Sequence, residues 1–124
     1  SDCGGTVTIQ RRENSDPSDP VGSGSYEYAT TTGNGLLKAA ETNSITFDYE
    51  LGTGASEIVS IIETGTTGEE IVDVQCFHNG NDVTASRVST LREDDTDSSS
   101  PIITSGRNIE VRANEALSCL FIGS

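Results

Sequence analysis

Apolar side chains recur at every second position along most of this chain, the period of a strand with one face turned inward. The cleanest instance is residues 44–50, where Ile45, Phe47 and Tyr49 alternate with Thr46, Asp48 and Glu50; this pattern predicts a half-buried antiparallel strand. Residues 6–12 predict a first strand with Val7 and Ile9 inward, and residues 25–31 a second with Tyr26 and Tyr28 on one face. Leu36 and Leu37 form either a short strand or a plug at one end of the core. Residues 57–64 predict a strand with Ile58 and Ile62 inward, but Val59 and Ile61 make its other face apolar too. Either that strand is interior, or its outer face, Val59 and Ile61, meets another subunit.

Two further segments, residues 71–76 and 116–121, organise the rest. Val72, Val74 and Cys76 share one face of the first, and Leu117, Cys119 and Phe121 one face of the second. Placed on opposing sheets and joined through their cysteines, these strands would form the centre of a small sandwich. Residues 83–91 and 107–113 add two more strands, and Ile102 with Ile103 either begin another or cover the sheet. The final two strands, separated by Asn114-Glu115, read as a hairpin.

Punctuation agrees with this reading. Asp16-Pro17 and Asp19-Pro20 make residues 13–24 a loop or an edge crossing, because proline lacks the donor that a central strand needs. Gly33-Asn34-Gly35 and residues 51–55 mark turns, and Asn79-Gly80 is a hairpin signal. Residues 92–100, with Glu93, Asp94, Asp95 and Asp97 followed by three serines, cannot form core. No window holds the three-and-four spacing of an ordinary helix. The prediction is an all-β domain of about seven to nine strands over residues 6–124, after a flexible leader at residues 1–5.

Composition narrows the function classes. Twenty acidic residues against seven basic leave a formal charge of −13, which repels nucleic acid and anionic membranes alike. Such acidity is either a device for solubility or a salty medium, or a means of bridging molecules through divalent cations. No apolar run approaches the roughly 20 residues that span a bilayer, so membrane insertion is not expected. The chain contains no methionine, even at position 1, which fits a removed secretory signal and an extracellular setting. Asn-x-Ser/Thr is absent, so any glycan would be carried on hydroxyls.

Three cysteines are an odd number. A Cys76–Cys119 disulfide would close a loop of about forty positions and contribute roughly 4 kcal/mol through chain entropy; two reduced core cysteines are the alternative. Cys3 then has no internal partner and is a free thiol, a modification site or a link between copies, the last favoured by the odd count. His78 is the only histidine, and no Gly-x-Ser-x-Gly, phosphate loop or Cys-x-x-Cys pair occurs. The expectation is a protein without a catalytic site or cofactor, with Asp94, Asp95 and Asp97 as the candidate calcium ligands.

The order of motifs resembles a known family. Thr6-Val7-Thr8-Ile9, Tyr26 and Tyr28 after an Asp-Pro loop, Ile45-Thr46-Phe47, Ile61-Ile62-Glu63-Thr64, the run from Val72 to Cys76 and the run from Glu115 to Phe121 resemble, in that order, repeat domains of bacterial surface and secreted proteins. Those domains have a prealbumin-like or Cna-B-like fold, so the resemblance implies an immunoglobulin-like or prealbumin-like β-sandwich serving as a stalk, spacer or fibre module. Some members carry a Lys–Asn isopeptide bond catalysed by an acidic residue. Glu63 matches the acidic position, but the lysine position falls at Gln10 or Arg11 and the asparagine position near Gly123, so the reacting groups are missing. The family's tryptophan before the first cysteine is also missing, and residues 79–104 form a long insertion.

The function expected is an extracellular structural subunit that self-assembles into a filament, pilus-like fibre or surface layer. Copies of itself would be its partners, with Thr6, Val7, Thr8 and Ile9 as a candidate donor strand. The alternative is a monomeric module that binds a surface glycan or protein through its loops and tyrosines.

Overall fold

The computed structural model describes residues 4–13, 16–20, 26–30, 37–39, 44–51, 55–64 and 70–123. Cys3, the Gly33–Gly35 turn and Leu36 lie outside them. Among the described residues are eleven strands and one helical turn: β1 (Gly4–Glu13), β2 (Asp16–Pro20), β3 (Tyr26–Thr30), β4 (Leu37–Ala39), β5 (Ser44–Glu50), β6 (Ser56–Glu63), β7 (Ile71–His78), β8 (Asn81–Asp82), α1 (Thr84–Arg87), β9 (Val88–Arg92), β10 (Ile102–Arg112) and β11 (Ala116–Gly123). They form two sheets packed face to face, an all-β sandwich. One sheet runs β2-β1-β11-β7-β8, with β5 also paired to β1, and the other runs β4-β3-β6-β10-β9.

The first and last strands are neighbours. β1 pairs with β11 in parallel, from Thr6 opposite Ala116 to Glu13 opposite Gly123. β5 lies antiparallel along the other edge of β1, from Gly4 opposite Glu50 to Gln10 opposite Ser44. Gly4 and Gly5, expected in a leader, are therefore strand. The link before β11 extends the same ladder, with Asn114 N–H donating to Gly4 O at 2.8 Å and Thr6 N–H to Glu115 O at 2.9 Å.

The alternation expected in β1 and β5 holds: Val7, Ile9, Ile45, Phe47 and Tyr49 are all buried, facing Tyr28, Val59, Ile61, Ile109 and Val111 of the other sheet. The Asp-Pro segment is an edge strand, β2, the place in a sheet that proline tolerates. Asn79 and Gly80 take positive φ values of 51° and 80° in the turn between β7 and β8, the geometry that a two-residue hairpin demands.

β10 and β11 do not form a hairpin, because Ala113–Glu115 carries the chain from one sheet to the other. Residues 83–91 are not one strand. Thr84 N–H donates to Asp82 Oδ1, and Ser86 and Arg87 N–H both reach Val83 O, so local bonds wind α1 before β9 starts.

In β7, Val72 is exposed and Ile71 buried. Ile122 opposes Asp73 while Gly123 opposes Ile71, so Val72 is the extra residue of a bulge, and a bulge reverses the faces beyond it. In β6, Val59 and Ile61 are in the core, and Ile58 is 52% exposed. They therefore offer no subunit interface. Glu63 shares their face and is buried, where Arg11 and Tyr28 donate to its carboxylate.

Candidate functional site

The centre of the first sheet holds the covalent staple. Cys76 and Cys119 are directly opposite each other on the adjacent strands β7 and β11, with Cα atoms 4.0 Å apart, and they are disulfide-bonded. Both side chains point into the core. The expected pairing is present, but it ties two neighbours in one sheet rather than two sheets. Periodicity specifies the face a side chain takes, not which strand lies alongside.

One tie between the sheets is ionic. Arg11 continues the inward period of Val7 and Ile9 and is 1% exposed. Its Nε donates to Glu63 Oε1 on β6 at 2.8 Å, its Nη1 donates to Arg12 O at 2.7 Å, and Tyr28 OH donates to the same Glu63 oxygen at 2.7 Å. The Tyr28 ring meets Phe121 edge-on, with centroids 5.6 Å apart. Gly123 leaves room for this arrangement, since a Cβ there would collide with the Arg11 guanidinium.

Arg11, Glu63 and Gly123 are thus gathered at one place. They carry a guanidinium, a carboxylate and a glycine. A protonated guanidinium is no nucleophile and glycine has no carboxamide, so the chemistry available there is a buried, hydrogen-bonded ion pair.

A second polar cluster closes the crossing between β10 and β11. Arg87 of α1 is buried and grips Glu115 with both nitrogens, Nη1 to Oε1 at 2.8 Å and Nη2 to Oε2 at 2.7 Å; its Nη1 also donates to Glu110 O at 3.2 Å. Hydrogen bonding from Arg87 holds the Glu115 carboxyl below its ordinary range despite partial desolvation, and the same bonds hold the guanidinium above its own. Tyr49 OH donates to Arg112 O at 2.5 Å, and burial, then the nearby Glu115 charge, push its phenol up. His78 Nδ1 lies 3.6 Å from Glu115 Oε2. At 3.6 Å that contact is longer than a hydrogen bond, whereas Arg87 bonds both carboxylate oxygens and forms the latch.

The candidate calcium ligands build their own loop. Asp94 Oδ1 accepts from Thr96 N–H and Oγ1, Asp97 Oδ1 accepts from Ser99 N–H and Oγ, and Asp95 accepts from Arg92 N–H and Asn108 Nδ2. The hydroxyl bonds hold the Asp94 and Asp97 carboxyls below the usual range. Asp94 and Asp97 each bind the backbone two residues on, as in Asx turns, and among the described residues no group of three or more His, Cys, Asp or Glu could hold a metal ion.

The remaining expectations concern surfaces. Thr6, Val7, Thr8 and Ile9 are not a free donor strand, because β11 and β5 occupy both edges of β1 in its own chain. Tyr28 and Tyr49 are core residues and so unavailable as loop contacts. The outer edge of β7 is capped: Cys76 N–H donates to Thr84 Oγ1, Val74 N–H to Asp73 Oδ1, and Arg107 Nη2 to Ile71 O, which blunts strand addition there. Large apolar side chains are exposed at Ile58, Val72 and Ile102. Among the described residues, no helix is long and apolar enough to cross a membrane.

No family model matches this chain, and neither a curated protein nor a solved structure matches it. Sequence reasoning missed both ion-pair clusters. Arg11 was findable, standing in period after Val7 and Ile9. Arg87 and Glu115 were not, since they lie on different elements and only the fold brings them together.

Proposed function

We propose that this chain is an extracellular structural subunit that self-assembles into a filament, pilus-like fibre or surface layer. The observation that carries the reading is Ile58, 52% exposed on the outer face of β6 in a chain of formal charge −13. Ile62 shares its face and is half-buried. An apolar outer position on an interior strand of a sheet suits contact with a second copy. The in-sheet disulfide supports an oxidising, extracellular setting. The motif resemblance to stalk and fibre domains points the same way, and Cys3 is the residue proposed to link copies. Acidic surfaces would repel one another at low salt, so assembly should strengthen with ionic strength or divalent cations.

Electron microscopy and sedimentation of the purified chain across salt and calcium concentrations test this. Fibres or layers are the expected result. Uniform monodisperse particles under every condition would sink the proposal.

A further inference from the structure

The parallel pairing of β1 with β11 has a mechanical consequence. Gly4 stands at the Ala116 end of the pair and Gly123 at the Glu13 end, so the two ends of the paired strands point out of opposite ends of the sandwich. Eight register pairs separate them, about 25 Å at the rise of a strand. Tension that enters at Gly4 and leaves at Gly123 pulls the two strands past each other along their length. Every hydrogen bond of the ladder is then loaded together, whereas tension across the strands would open the ladder one bond at a time. The bonds of a parallel ladder are evenly spaced and slanted, which spreads such a load.

We propose that the β1/β11 pair is a shear clamp, and that this domain bears tension along its strands. Both members of the clamp are anchored on their far sides. β5 pairs β1 over seven residues. β7 pairs β11 and is covalently joined to it at Cys76–Cys119. Arg11 pins β1 to Glu63 of the other sheet close to Gly123, where the load leaves.

The disulfide also limits what a rupture releases. Cys76 and Cys119 are 43 positions apart, and at the reach of an extended chain the enclosed segment withholds about 150 Å from extension. A ruptured but oxidised domain is shorter by that length than a reduced one.

The clamp deepens the structural-subunit reading and rests on it only for the source of the load. Single-molecule force spectroscopy on the full chain tests it, comparing handles at the two chain ends with handles at the amino end and at the exposed Ala116. The second geometry unzips the same pair. The expected rupture force is several-fold higher for the end-to-end geometry, and reduction of the disulfide should lengthen the released contour by about 150 Å. Equal rupture forces in the two geometries would overturn the clamp, and an unchanged contour on reduction would overturn the role given to the disulfide. Monodisperse particles in micrographs would remove the filament reading and leave a measured force difference standing, so the two proposals fail separately.

Discussion

Arg11 and Glu63 show what a charge inside a thin sandwich requires. Each is buried, and each would cost several kcal/mol alone in that environment, so they persist as a pair with Tyr28 supplying a further donor. Glu63→Gln or Arg11→Met should each lower stability by about 3–5 kcal/mol, whereas Arg11→Met combined with Glu63→Leu should recover most of the loss. Chemical denaturation of the three variants measures this, and a double variant as weak as the singles would contradict it.

Glu115 sets a pH dependence. Its folded carboxyl lies below the ordinary value of 4.5, chiefly through the Arg87 hydrogen bonds. A depressed folded value means the contribution is fully present above the unfolded value and is lost as pH falls through the folded one. Melting temperatures measured from neutral pH down through the carboxylate range should therefore fall less steeply in Glu115→Gln than in the unaltered chain. Identical acid limbs would show that the latch contributes nothing.

Elements owe their pairing to chemistry at a few positions. The Cys76–Cys119 bond closes 43 positions, and on the chain-entropy model its loss should cost about 4 kcal/mol, a large share of what a domain this size possesses. The Cys76→Ala/Cys119→Ala variant should melt many degrees lower, with Cys3→Ala as the control expected to leave the melting temperature unchanged. Strand existence was legible almost everywhere in the sequence, and for β1 and β5 so was the buried face. The face of β6 was not legible, because both of its faces are apolar and the polar member of the inner face, Glu63, finds its partner 52 positions away. Nor was the bulge at Val72, since it exists only relative to the register of β11.

Across the whole molecule, stability and assembly should separate. Ile58 contributes little to the core, so Ile58→Thr, which keeps a β-branched side chain opposite Glu110, should change stability by no more than about 0.5 kcal/mol. The same change should suppress fibres in micrographs at a salt concentration where the unaltered chain forms them. Undiminished assembly by the variant would move the proposed contact elsewhere. The tension geometry belongs to this scale too, because it depends on where the ends of β1 and β11 emerge and on no single side chain.

Alternation, turn residues and the scarcity of helical spacing were enough to determine an all-β chain and most of its strands, because these follow from contacts between near neighbours and from which face of a strand repels water. The order of strands, the parallel closure of β1 on β11, the disulfide within one sheet and the burial of Arg11 against Glu63 were decided only in three dimensions. Each joins residues tens of positions apart, and the energy that selects among such partners comes from packing two sheets together.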